Sequence, residues 1–133
     1  MLALERTEVI GTETVVTRRL DDRLWQVIVD SLPSQLQVRA RNQEKKYRNF
    51  LEGVLWVVSE DAFWGELPAR FGHWRALYVR FLRWNNIGVW GTVAEILGPD
   101  TQLARFLMQR ADQHAAIVRR RQLRNSQNWM LEG

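Results

Sequence analysis

Apolar residues along this chain recur mainly at helical spacing. The clearest stretch holds Tyr47, Phe50, Leu51, Val54, Leu55 and Val58, which follow i, i+3, i+4, i+7, i+8, i+11 and predict an amphipathic helix whose striped face belongs to a core. Upstream, Asp21 is placed to N-cap a helix carrying Leu24, Val27, Ile28 and Leu32, and Pro33 ends it. Residues 34–43 are polar and basic with little periodicity and read as a connecting loop. Downstream, Trp64, Leu67, Phe71 and Gly72 lead into a helix from about His73 to Trp84, which Asn85-Asn86-Ile87-Gly88 stops. Trp90, Val93, Ala94 and Leu97 mark another, closed by Gly98-Pro99. A last helix from Thr101 carries Leu103, Leu107, Ala111, His114 and Val118 on one side before it gives way to Arg-rich, then polar sequence.

Residues 1–19 hold Val9-Ile10 and Val15-Val16 around Gly11-Thr12-Glu13-Thr14, a pattern that suits a short hairpin or an extended arm. Nothing alternates strand with helix, so the expected fold is all-α with five helices. The expected organisation is an N-terminal arm (1–19), a helical domain (20–98) and a C-terminal helix with a basic tail (99–133).

Composition supports a folded domain, since 133 residues with 46% hydrophobic content can bury a real core. The absence of cysteine excludes a disulfide framework and thiolate metal sites. His73 and His114 are too far apart to suggest a metal site, and no cofactor is implied. Charge interrupts the N-terminus at once, and no apolar run approaches the roughly eighteen residues of a membrane span, so a cytoplasmic protein with no membrane partner is expected. Seven tryptophans promise large aromatic contacts, and packing is the expected role of Trp25, Trp56, Trp64, Trp74, Trp84 and Trp90.

The net charge of +4 matters less than its placement. No Asp or Glu occurs from Leu67 to Ala94, while Arg70, Arg75, Arg80 and Arg83 all do. Arg39, Arg41, Lys45, Lys46 and Arg48 are opposed locally only by Glu44, and between Arg105 and Arg124 the arginines, Arg119, Arg120 and Arg121 among them, face only Asp112. Such clusters attract polyanions, and they also occur as solvated helix faces.

Leu67 to Trp84 has the layout of a helix-turn-helix. Pro68 suits the first turn of a short helix, Gly72 can take a positive φ, and Leu67, Phe71, Leu77 and Phe81 would lock two helices together. At roughly 100° per residue, Trp74, Leu77, Tyr78, Phe81, Leu82 and Trp84 fall on one side of the second helix, and Arg75, Ala76, Val79, Arg80 and Arg83 on the other. An apolar back with small and Arg side chains in front suits the major groove, where Arg reaches phosphates or guanine edges. An amphipathic bundle helix would give the same pattern.

Leu20-Asp21-Asp22-Arg23-Leu24-Trp25, Leu32-Pro33, Leu51 to Val58, Trp64-Gly65-Glu66-Leu67-Pro68-Ala69-Arg70-Phe71-Gly72, Trp74 to Trp84 and Gly88-Val89-Trp90 together resemble the N-terminal domain of bacterial DDE-type insertion-sequence transposases. The resemblance covers about residues 20–98. It implies a helical domain that recognises inverted repeats in double-stranded DNA. Charge placement and the helix-turn-helix layout make Arg70, His73, Arg75, Arg80 and Arg83 the candidate contacts, beside Arg39, Arg41, Lys45, Lys46 and the tail arginines. Three departures touch this expectation: Val38-Arg39-Ala40-Arg41 stands where the family often has a Gly-Arg-Pro-Arg-like stretch, Gly65 where it usually has Arg, and Asp61 where it often has Gly.

Transposase catalysis needs three carboxylates converging on metal ions, and the acids after Gly98 are only Asp100, Asp112 and Glu132, in sequence that reads as helix. The expectation is therefore a non-enzymatic DNA-binding module: the first frame of a split transposase, a truncated transposase, or a regulator adopted by a host at a promoter site. The alternative is a transposase-derived protein-interaction adaptor with little or no DNA binding, which Gly65 and the apolar Trp129-Met130-Leu131 support. The C-terminal helix is the candidate surface for a homodimer or a protein partner.

Overall fold

Asp21 opens the first helix with its own side chain: Oδ1 accepts the Leu24 N–H at 2.7 Å, and α1 (Asp22–Ser31) follows with Trp25, Ile28 and Val29 buried. The computed structural model describes residues 20–132, and within them the chain forms six α-helices, two short 3₁₀ turns and no strand. The fold is all-α. The arm or hairpin expected over residues 1–19 lies outside the described residues.

Residues 34–43, expected as a loop, are instead mostly helix: α2 (Ser34–Asn42) raises the count from five to six. Only Leu36 and Ala40, one turn apart, are buried on it. Its Gln37 donates from Nε2 to the carbonyls of Val29 (3.0 Å), which also accepts the Leu32 N–H, and Asp30 (3.1 Å), both in the last turn of α1. Arg41 pairs with Asp30. A nearly polar segment is thus held helical by sealing the helix before it.

In α3 (Glu44–Ser59) all six residues of the predicted stripe are buried, with Gly53 and Val57 beside them. The chain then passes through two 3₁₀ turns, Trp64–Glu66 and Ala69–Phe71. A short helix was expected after Pro68; the three-residue turn stands there, and the long helix packed behind the next one is α3. Gly72 adopts φ +110°, a region open to glycine, and His73 caps α4 (Trp74–Asn86) by accepting the Arg75 N–H on Nδ1 at 3.2 Å. At Gly53 the helices α3 and α4 come so close that a Cβ there would lie 2.7 Å from Leu77 Cδ2 and 3.3 Å from Phe71 Cβ.

Gly88, at φ +76°, turns the chain into α5 (Val89–Leu97). Trp90 enters the centre of the molecule, where its ring lies 5.0 Å from Phe81, 5.2 Å from Trp84 and 6.0 Å from Phe50. Trp25, Trp64, Trp84 and Trp90 are buried as packing predicts, whereas Trp56 and Trp74 are half-buried at the edge of the core. Thr101 then accepts the Ala104 N–H at 3.2 Å to start α6 (Gln102–Glu132). Leu103, Ala104, Leu107 and Ala111 bury its first turns. The helix does not break down at the arginines but continues through them, because Arg, Gln and Leu are good helix formers without an apolar stripe.

Candidate nucleic-acid interface

With Leu77, Phe81 and Trp84 of α4 committed to the core, the opposite side of that helix is left to solvent. Arg75, Ala76, Val79 and Arg83 are exposed there. Arg75 lies over the Trp74 ring at 5.4 Å, which steadies a long side chain on the first turn of the helix.

Arg80, expected on this same outer face, is half-buried and turned toward α3, its guanidinium carbon 4.8 Å from the Tyr47 ring centre and 5.3 Å from that of Phe50. It enters a groove of about 280 Å³ walled by α2, α3 and α4. Arg39 and Arg83 also line this groove, with Leu36, Tyr47, Trp84 and Ile87. No Asp or Glu contributes to it. The wall supplied by α2 escaped the sequence reading; the signal for it was Pro33 at a helix start with Leu36 and Ala40 spaced one turn apart.

A larger and more open hollow of about 780 Å³ flanks the first half of α3 and gathers Lys45, Lys46 and Arg70 with Arg48, Asn49, Glu44 and Glu52. Arg70 lies over the Phe71 ring at 4.5 Å, and Asn49 donates to the Phe71 carbonyl at 2.6 Å. Arg48 is occupied structurally: it reaches Asp22 at 2.8 Å, Glu44 at 3.3 Å and the Leu20 carbonyl at 2.6 Å. The hydrogen bond to Asp22 raises its pKa above the ordinary value.

The remaining expected contacts are dispersed. Arg41 is paired with Asp30, and His73 spends Nδ1 on the helix cap. Arg119, Arg120 and Arg121 are exposed on α6 beyond Ala111 and line neither groove. Beside the end of α3, Arg110 of α6 donates to the Ala62 carbonyl at 2.9 Å, with Asp61 at 3.8 Å, and burial lowers its pKa against the pull of Asp61. Among the described residues no cluster of His, Asp and Glu could hold a metal ion. None of the helices there is long and apolar enough to cross a membrane.

Residues 20–94 match the family described as "Putative transposase of IS4/5 family". The chain belongs to this family. The match to the IS4/5 transposase family includes every residue lining the two grooves and the whole of α4, and it stops before α6. The chain is 31% identical over 105 residues to the uncharacterized protein y4sN of Sinorhizobium fredii, covering 76% of this chain and 83% of that one. It is 32% identical over 87 residues to an uncharacterized 16.2 kDa protein of insertion element IS402 from Burkholderia cepacia, covering 59% of this chain and 56% of that one. No solved structure matches. The described domain is therefore a transposase-like N-terminal domain, as the sequence resemblance implied.

Proposed function

We propose that this chain is a DNA-binding module that recognises the inverted repeats at the ends of an insertion sequence, with α4 as the reading helix. The observation that carries the reading is the exposed stripe Arg75, Val79 and Arg83 on a helix whose other side is fixed in the core, within a stretch free of acidic residues. Arg75 occupies the first turn, the part of a recognition helix that commonly meets base edges. Membership of a transposase family and the likeness to an insertion-element protein support DNA as the partner.

The reading assigns recognition to this chain and not phosphodiester chemistry.

The test is selection of a preferred duplex from a random pool, then titration of that duplex and a scrambled one at about 50 and 200 mM salt, where phosphate contacts give a steep dependence. Arg75→Ala should keep the fold by circular dichroism and lose about 1–3 kcal/mol of discrimination between the two duplexes. A folded protein that binds neither duplex would transfer the assignment to a protein-interaction adaptor. Phe63, 81% exposed beside Gly65 and held in place by a 2.7 Å bond from its N–H to Glu66, would then be the first contact to examine.

A further inference from the structure

Two sets of arginines in this domain differ in their company. Arg41, Arg48 and Arg110 each have a carboxylate within salt-bridge range: Asp30, then Asp22 with Glu44, then Asp61. Arg39, Arg80 and Arg83 have neither an ion pair nor a side-chain hydrogen bond among the described residues, although all three line one groove. Three arginines lining one groove without a counter-charge repel one another, which opposes gathering them there.

Arg80 shows how the groove is prepared. Its guanidinium is held by the faces of Tyr47 and Phe50, at 4.8 and 5.3 Å, and ring contacts of this kind orient the group without consuming its N–H donors. The floor beneath is Tyr47 stacked with Trp84, ring centres 6.4 Å apart and planes 14° from parallel, both buried. An apolar floor keeps water from one side and strengthens the field of the arginines above it. Arg39 stands on α2, across the groove from α4, so an occupant is approached from two helices.

Planar forks with free donors on a carboxylate-free floor suit a phosphodiester oxygen pair. We propose that the groove between α2, α3 and α4 is a phosphate clamp: Arg39 and Arg80 grip the backbone of one DNA strand, and Arg83, shared between groove and outer face, joins the clamp to the stripe that Arg75 begins. The proposal rests on the DNA-binding reading and deepens it. It divides the arginines of α4 between two tasks, with Arg80 fixing where the helix sits and Arg75 reading what lies beneath it.

The experiment compares Arg39→Ala, Arg80→Lys and the double variant Arg39→Ala/Arg80→Ala with wild type and Arg75→Ala, each titrated with the selected and the scrambled duplex over a salt series. Arg80→Lys keeps a charge over the rings and guards against misfolding of the alanine variant. The clamp predicts that the double variant loses about tenfold in affinity at 0.1 M salt for each phosphate released, that the loss is equal on both duplexes, and that the salt slope falls by about one per phosphate. Arg80→Lys should show a smaller loss of the same uniform kind, and Arg75→Ala should change the ratio between duplexes. Wild-type affinity and slope in the groove variants, with Arg75→Ala still losing discrimination, would overturn the clamp and leave the DNA reading standing. Loss of discrimination in the groove variants would also overturn it, since the groove would then read bases. Absence of salt-dependent binding by the wild type would overturn both.

Discussion

Trp90 donates its indole N–H to the backbone carbonyl of Phe81 at 2.9 Å, a buried bond that joins α5 to α4 at the centre of the aromatic core. The same two residues stack their rings, with planes 26° apart. Side chain and backbone of α4 are thereby held by one tryptophan, and the exposed stripe of that helix inherits its position from this contact.

Trp90→Phe keeps an aromatic ring and removes the donor, and should cost about 1–3 kcal/mol in urea titration. Trp90→Ala should cost about 3–5 kcal/mol, because a cavity is added to the lost bond. A cost near zero for Trp90→Phe would show that the hydrogen bond carries nothing.

Gly53→Ala tests the close crossing of α3 and α4. The new methyl meets Leu77 Cδ2 at 2.7 Å and Phe71 Cβ at 3.3 Å, both on buried residues. Overpacking costs about 1–3 kcal/mol, against a gain of about 1 kcal/mol in helix propensity. The expected net result is destabilisation by up to about 2 kcal/mol, relieved when Leu77 is shortened: in a double-mutant cycle with Leu77→Ala the two changes should couple favourably. Simple additivity would mean the helices yield without strain.

His114 sets its ring edge-on to Tyr78 at 5.3 Å and Phe81 at 5.6 Å, and burial, reinforced by the charge of Arg110, lowers its pKa from the ordinary 6.5. The folded state therefore binds this proton less tightly than the unfolded chain. Above about pH 6.5 both states are neutral at this position; as pH falls below that value the unfolded chain is protonated first, and stability drops until the folded ring takes its proton as well. His114→Leu removes this component, so between about pH 7.5 and 5.5 its urea midpoint should fall less than that of the wild type. Equal falls would assign the pH dependence to other groups.

Removing residues 119–133 tests the arginines of α6. The described side chains from Arg119 to Gln127 are all exposed, so unfolding should shift by less than about 0.5 kcal/mol. Affinity should fall equally for selected and scrambled duplexes, with a flatter salt dependence. Unchanged binding would assign Arg119, Arg120 and Arg121 to solubility or to a protein partner.

Legibility in the sequence followed the apolar stripe. Tyr47 to Val58 announced α3 because six buried residues repeat through it, and Leu77, Phe81 and Trp84 did the same for α4. Helix α2 was hidden because it buries only Leu36 and Ala40 and owes its place to Gln37 and Arg41 at the end of α1, contacts that have no periodic trace. The extent of α6 was missed for a related reason: its helix outlasts its buried face. At the candidate interface, angular position on α4 correctly exposed Arg75 and Arg83. It could not show that Tyr47 and Phe50, from a different helix, draw Arg80 aside toward Arg39.

Helix α6 is 31 residues long, which at 1.5 Å per residue makes it a strut of roughly 46 Å. Its base is packed into the core through Leu103, Leu107 and Ala111, while Arg119 to Arg121 stand farther along the same continuous helix. Their reach and rotational phase relative to α4 are consequently set by helical geometry and not by a slack tether. If they share a duplex with α4, they meet it at a high effective concentration, with little of the closure entropy that a flexible linker exacts. One residue inserted after Ala115 would swing the three arginines through about 100° and move them about 1.5 Å outward, enough to carry them off any surface they share with α4 while leaving every core contact in place.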